Sequence, residues 1–381
     1  MTVTAPETRL APALVSEPTE AARQGTALCL SGGGYRAMLF HLGSLRYLNE
    51  RGWLSKIDRI SSVSGGSITA ATLGLHWKNL TFANGIATNF TDVVIKPVRA
   101  LASTTIDVPS IISGILLPGA VSDRIINAYE RHLYGTATLQ DLPDDPRFVI
   151  NATSVQSGAL IRFSKPYIWD YQVGKIPNPT RRLSEAVTAS SAFPPVLSPV
   201  TIDVSKEAFE PNTGATLQRP PYTTRMIATD GGVYDNLGLQ TAIHFTCILV
   251  SDGGGKMQAD PDPKHDWARH ALRINDVIDN QVRSLRKQQL LDALKNNVKT
   301  GAYWGIRTDI ANYAAANKLP CPESKTAALA ATPTRLAAVP DLLQERLINW
   351  GYAVTDAAMR THVDPTLAAP SNFPYPNSGI G

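Results

Sequence analysis

Short apolar runs closed by glycine-rich turns alternate along this chain with longer stretches whose apolar positions recur at helical spacing. The pattern is sharpest from residue 28 to residue 67, LCLSGGGYRAMLFHLGSLRYLNERGWLSKIDRISSVSGGS. It predicts a strand, a glycine loop, a helix, a turn, a second strand, and a loop that carries a serine. Within the helix Met38, Leu39, Leu42, Leu45 and Leu48 form one apolar stripe, and Gly52 ends it. His41 lies in that helix and reads as structural. A further helix is expected from Ser67 to His76.

Residues 77–123 are less regular. The portion VPSIISGILLPG is apolar but broken by proline and glycine, and reads as a helical excursion packed on the core. A helix is expected from Asp123 to Leu133, a hairpin from the strands RFVINAT (147–153) and ALIRF (159–163), and a helix over LSEAVTASSA (183–192) that stops at Phe193-Pro194-Pro195. A strand through Arg225–Ala228 leads to Thr229-Asp230-Gly231-Gly232. A helix around Gln240–His244, a strand over Thr246–Val250 and a second glycine turn after Asp252 follow. This repetition predicts an α/β fold with a mainly parallel sheet, its functional loops sharing the carboxyl edge. A long amphipathic helix is expected from Trp267 to Asn297, with Leu272, Val277, Val282, Leu285, Leu290, Leu291 and Leu294 towards the core and Arg283, Arg286 and Lys287 on a solvated face. Residues 318–334 read as a surface loop, and Asp341–His362 as a helix.

Composition narrows the function classes. With 381 residues, 43% hydrophobic and 18% charged, the chain has the material for one large core, and its net charge of +4 is too diffuse for a dedicated nucleic-acid binder. Cys29, Cys247 and Cys321 have no metal-ligand spacing; an odd, sparse set fits buried thiols in a reducing, cytoplasmic setting. The first residues lack the apolar stretch of a secretory signal, and no run is long enough to cross a bilayer, which leaves peripheral membrane contact open.

The chemistry concentrates in three turns. In one βαβ unit the loops leaving the two strands open side by side. The first is Ser31-Gly32-Gly33-Gly34, whose amides and following helix N-terminus suit a developing negative charge. The second holds Ser64 between Ser62 and Gly66, small residues of the kind a nucleophile elbow requires. A serine needs a proton acceptor. None of the seven histidines sits in a comparable turn, whereas Asp230 follows a strand directly and precedes two glycines. Asp252 is its competitor.

With SGGGYRA, SVSGGS and ATDGGVYDN in that order, the chain resembles the patatin-like phospholipases over roughly residues 26–255. The resemblance implies a three-layer α/β fold, a central mainly parallel sheet flanked by helices, and a Ser–Asp dyad needing neither metal nor cofactor. It makes Ser64 the nucleophile, Asp230 the base, and Gly32, Gly33 and Gly34 the oxyanion loop. Ser31 and Ala37 stand where the family usually has aspartate and glycine, which is similar to the cytosolic phospholipase A branch and implies that Arg36 meets the substrate phosphate. ASSAFPP (189–195) is similar to a block that shapes the site wall. The implied organisation is an N-terminal arm (1–24), a catalytic domain (25–317) and a C-terminal loop and helical extension (318–381) packed on it. The implied substrate is a phospholipid or other acyl ester; a soluble carboxylesterase or thioesterase, or a non-catalytic phosphate-binding protein, are the alternatives.

Overall fold

The first strand shows why the sheet is covered on both sides. In β1 (Arg23–Leu30) Leu28 and Leu30 face one apolar cluster while Ala27 and Cys29 face another. Successive residues of a strand point to opposite faces, so an unbroken apolar strand requires a layer on each. The computed structural model describes residues 22–106, 118–195 and 197–381. Of the arm expected over residues 1–24, residues 1–21 lie outside the described residues while Arg23 and Gln24 already belong to β1; residues 107–117, which hold most of the apolar portion VPSIISGILLPG, also lie outside them.

After β1 come α1 (Gly34–Glu50), β2 (Arg59–Val63) and α2 (Gly65–Leu75), the predicted βαβ unit with its following helix. A small hairpin, β3 (Phe82–Ala83) with β4 (Ile86–Ala87), and the helices α3 (Lys96–Ala102) and α4 (Pro118–Tyr129) follow. Next are β5 (Arg147–Ser154), β6 (Leu160–Phe163), β7 (Tyr167–Asp170), β8 (Gly174–Pro177), α5 (Leu183–Ser190), β9 (Val200–Asp203), β10 (Arg225–Asp230) and the single turn α6 (Gly232–Asp235). The chain ends with β11 (Phe245–Asp252), α7 (Trp267–Lys295), β12 (Thr300–Gly305), α8 (Glu323–Ala330) and α9 (Asp341–His362).

The main sheet runs β12-β11-β1-β2-β5-β6-β7-β8. The first five are mutually parallel and form its centre; β6, β7 and β8 extend it as an antiparallel wing. β5 is shared unusually. Its residues 147–151 pair with β2 in parallel, and its residues 152–154 pair with β10 antiparallel. The expectation of a mainly parallel sheet holds for this centre, but β10 does not continue the parallel rhythm: it approaches β2 from the opposite direction.

One face is covered by α1, α2 and α9, the other by α7 and the turn from Leu237 to Phe245. Against α9, α1 packs at backbone distance: a Cβ at Gly43 would collide with the Ile348 carbonyl, and one at Gly351 with the Phe40 carbonyl. This contact seats the helix that begins at the glycine loop.

Several local expectations fail for tertiary reasons. The segment at 240–244 forms turns, and the helix of this region is instead the short α6. The surface loop expected at 318–334 contains α8. In α7 only Leu290 of the apolar set is buried; Leu272, Val277, Leu285 and Leu291 are exposed. Trp267 (85% exposed), Ile274, Ile278 and Leu285 instead line an outward stripe.

Replacing Gly43 with alanine forces α1 and α9 apart. A loss of about 2–3 kcal/mol is expected, as overpacking of a tight interface typically costs, read as a lower midpoint in chemical denaturation; an unchanged midpoint would refute the close crossing.

Candidate active site

Three turns predicted to carry chemistry come together where β2 and β10 meet. Residue 151 of β5 faces Val63, and the next residue, Ala152, faces Asp230. The end of β2 and the end of β10 are therefore separated by one step along β5. Asp230 reaches Ser64 because the strands run head-on, not because they share a carboxyl edge.

Ser64 follows β2 with φ 52° and ψ −121°, on the side of backbone space that non-glycine residues enter only at a cost of about 1–3 kcal/mol. The turn is tight because α2 starts at the next residue and the Gly66 N–H already bonds the Ser31 carbonyl at 3.2 Å. The backbone N–H of Ser64 donates to Ser190 Oγ at 3.0 Å, and Ser190 Oγ donates to the Asn151 carbonyl at 2.6 Å. The same segment holds the other strand: Asp230 N–H donates to the Ala192 carbonyl at 3.0 Å and Gly231 N–H to the Ser190 carbonyl at 3.2 Å. Residues 190–192 are thus a clamp on both strand ends. The ASSAFPP block pointed to this wall, but nothing local in it marks Ser190 as the residue that ties them.

Asp230 is buried, and its Oδ1 accepts the Gly232 N–H at 2.7 Å. Burial pushes its carboxyl up to about 7, against the lowering effects of the Gly232 amide and the nearby Ser64 hydroxyl. Oδ2 has no hydrogen bond of ordinary geometry; the Ser64 hydroxyl lies near enough to act on the carboxyl without completing one. Asp252 contrasts with it. Burial raises that carboxyl too, but Arg283, the Tyr303 hydroxyl (2.7 Å) and the Gly254 N–H (2.9 Å) outweigh it and hold it below the usual range. Asp252 is an ionised, fully engaged carboxylate, while Asp230 is poised near neutrality.

The glycine loop lies against the serine. A Cβ at Gly32 would stand 3.1 Å from Ser64 Cβ, and Gly33 (φ 145°) and Gly34 (φ 60°) take conformations that a side chain disfavours. The Gly32 N–H is already committed to the Asn236 carbonyl at 3.1 Å; those of Gly33 and Gly34 bond no other described residue. Beneath the loop His41 is buried, its Nε2 2.9 Å from the Ser31 carbonyl and its Nδ1 2.8 Å from Ser251 Oγ. A carbonyl only accepts, so Nε2 carries the proton and Nδ1 receives one from Ser251. Burial lowers its pKa to about 4, which keeps it neutral: the structural role expected of it.

Arg36 is buried rather than lining an open site. Its Nε donates to the Gly253 carbonyl at 3.1 Å and its Nη1 to the Thr332 carbonyl, tying α1 to two loops; only Nη2 lacks a partner. Asn236 was not singled out from the sequence. Its backbone fixes Gly32, and its side-chain oxygen lies beside Gly32 and Gly232. It stands in the ATDGGVYDN motif, which is the signal that could have found it.

The family model described as patatin-like phospholipase matches residues 28–243, more than half of the chain. The chain belongs to the patatin-like phospholipase family. The matched stretch contains all three turns of this patatin-like site, whereas α7 and α9 lie beyond it. No curated protein matches the chain. Among solved structures it is similar to human GIVD cytosolic phospholipase A2, at 13% identity over 63% of this chain and 49% of that one, with a TM-score of 0.41. For the same human protein in complex with methyl gamma-linolenyl fluorophosphonate the values are 14%, 87%, 57% and 0.47. It is also similar to VipD from Legionella pneumophila, at 16% identity over 88% of this chain and 66% of that one, with a TM-score of 0.34. The chain spans about half the length of the human structures it matches.

Backbone strain at the elbow gives a test free of catalysis. Ser64→Gly and Ser64→Ala both remove the hydroxyl, but only glycine relaxes φ; the glycine variant is expected to be more stable by about 1 kcal/mol in denaturant melts. Equal stability would mean an unstrained turn. Asp230 gives a second test. Its folded pKa lies above the unfolded one, so the native state binds the extra proton between about pH 4 and 7 and the contribution of Asp230 to stability falls as pH rises through that window. Asp230→Asn is expected to remove this contribution, measured as a smaller fall of the denaturation midpoint between about pH 4 and 7 than in the unmodified protein.

Proposed function

We propose that the protein is a lipid acyl hydrolase of the phospholipase A or lysophospholipase type. Ser64 Oγ attacks the acyl ester carbonyl as its proton passes to Asp230, forming an acyl-enzyme. The alcohol, here the lysolipid, leaves with that proton. Asp230 then takes a proton from water, whose hydroxide oxygen attacks the acyl-enzyme; the fatty acid departs and Ser64 recovers its hydroxyl. The N–H groups of Gly33 and Gly34, with that of Gly65 at the start of α2, hold the oxyanion. Gly32 provides room beside Ser64 rather than a donor, and Arg36 has a single nitrogen, Nη2, left for a substrate phosphate.

The observation that carries this reading is a strained serine placed against a buried carboxyl whose proton affinity is near neutrality. A carboxylate of ordinary pKa would be a poor acceptor for a serine proton; one raised to about 7 is matched to the task. Among the described residues no helix is long and apolar enough to cross a membrane.

The test is release of fatty acid from mixed phospholipids, followed by mass spectrometry. Ser64→Ala and Asp230→Asn should each lower kcat by at least about a thousandfold, as loss of a nucleophile or its base does. Ser64→Ala should also end labelling by a fluorophosphonate; full activity in that variant overturns the assignment. The base acts ionised, so kcat/KM should rise about tenfold per pH unit up to pH 7 and level off above it. A profile flat from pH 5 to 8 removes Asp230 from the role. Faster turnover of dispersed than of aggregated esters would instead assign the soluble esterase reading.

A further inference from the structure

A second concave site lies at the carboxyl ends of β11 and β12 and includes neither Ser64 nor Asp230. It is a cavity of about 370 Å3, within the range of roughly 300–1,000 Å3 usual for ligand sites. Four cationic side chains line it, Lys256, Arg283, Lys287 and Arg307, and Asp252 is the one carboxylate among its lining residues. Two of the four come from the face of α7 expected to be merely solvated.

The charges of this cavity are not balanced from within. Asp252 spends its oxygens on Tyr303 and the Gly254 amide, and Arg283 Nη2 stands 3.9 Å away. Arg283 has a second loose carboxylate, Asp279 at 3.7 Å, and its buried Nε has no hydrogen-bond partner. Lys287 leans over the Tyr303 ring at 5.8 Å, and Arg307 donates to the Ala330 carbonyl at 3.0 Å. No described carboxylate forms an ion pair with Lys256, Lys287 or Arg307. Directly behind the wall, a Cβ on Gly255 would come within 3.2 Å of Arg36 Nη2, the buried guanidinium nitrogen without a partner. The pKa of Arg36 falls to about 10, first through burial and then through repulsion by Arg307 and Arg283. Like charges gathered in a partly enclosed site with too few counter-charges favour entry of an anion.

We propose that this cavity is a phosphoryl-binding site, built for a phosphomonoester dianion. Four cations against Asp252 in the lining and Asp279 beside Arg283 leave an excess of two positive charges (four minus two), more than a singly charged carboxylate ligand would neutralise. Asn280, Ser284 and Thr308 add neutral polar groups for the remaining oxygens. The phosphomonoester belongs either to a lipid headgroup or to a soluble metabolite, and the two sources share this chemistry.

The experiment uses the full chain carrying Ser64→Ala, so that no substrate is turned over, and titrates glycerol 3-phosphate by calorimetry with glycerol as control. Saturable one-to-one binding is expected, weakening with salt. In the Lys256→Gln/Lys287→Gln double variant it should weaken at least about tenfold, the loss of one charge-assisted contact. Arg307→Gln provides an independent variant should the double one fail to fold. In a parallel arm, phosphatidylcholine vesicles containing phosphatidic acid are compared with vesicles of equal charge containing phosphatidylserine. Preference for phosphatidic acid, lost in the double variant, assigns the lipid source; binding of glycerol 3-phosphate alone assigns a soluble one. Absence of saturable glycerol 3-phosphate binding together with equal binding to both vesicles overturns the proposal, as does unchanged binding in the folded variants.

Discussion

The candidate site depends on how β5 divides one of its edges. Its first half is paired by β2 and its second half by β10, and these two strands run towards each other. Residues 151 and 152 face Val63 and Asp230, so the strand ends are held about 3.3 Å apart along the strand, the rise of a single residue. A parallel β10 would point the same way as β2 and carry its last residue away from Ser64. Head-on pairing leaves two ends with no further strand to bond to, and their amide groups must find partners elsewhere. Ser190 Oγ, the Ser190 carbonyl and the Ala192 carbonyl are those partners. The clamp is thus a consequence of the topology: it satisfies the polar groups that the abutment leaves over, and in doing so fixes the elbow against the carboxyl.

The same burial that demands these hydrogen bonds sets the electrostatics. Asp230 and Asp252 look alike in the sequence, each ending an apolar strand before glycines. Burial raises the proton affinity of both. What separates them is the neighbourhood: Asp252 has a tyrosine hydroxyl, a backbone amide and a nearby guanidinium, while Asp230 has one amide and the serine. A carboxylate stabilised by a cation is a stable anion and a weak base; one desolvated without a cation has a high proton affinity. The order of their local motifs separated the two, but the reason lies in strands and helices far away in the chain.

This division between local and distant causes explains what was legible. The unit from β1 through α2 was readable because its signals are local: a strand period, a helical stripe and small residues at the turns. The stripe Met38, Leu39, Leu42, Leu45 and Leu48 is buried as expected, and Ser64 sits at the turn that its neighbours predicted. The direction of β10 was not readable, because a strand sequence carries no sign of parallel or antiparallel pairing. Ser190 and Asn236 were missed as individual residues because their importance lies in which backbone groups they meet across the fold. In α7 the apolar period was real, but it marked an outward stripe at Trp267, Ile274, Ile278 and Leu285 as well as the inward Leu290 and Leu294. Periodicity reports that a helix has an apolar face, not which neighbour covers it.

β1 and β11 are parallel neighbours, and each ends in a glycine-rich turn, so the fold offers two similar cradles side by side. Their surroundings give them opposite characters. The turn after β1 rests on His41, which burial keeps neutral, and its uncommitted donors are the peptide N–H groups of Gly33 and Gly34, with Arg36 Nη2 beside Gly33. The turn after β11 is ringed by Arg283, Lys287 and Arg307. Oriented amides stabilise a charge that appears briefly, because they need no counter-charge when it is gone. Side-chain cations stabilise a charge that is permanent, and repel one another until it arrives. A cation in direct contact with Asp230 would instead pull it back towards an ordinary, ionised carboxylate. The proton affinity of Asp230 is set by burial, the Gly232 amide, the Ser64 hydroxyl and Asp279 rather than by these cations, so the second turn gathers positive charge without making Asp230 an ordinary carboxylate.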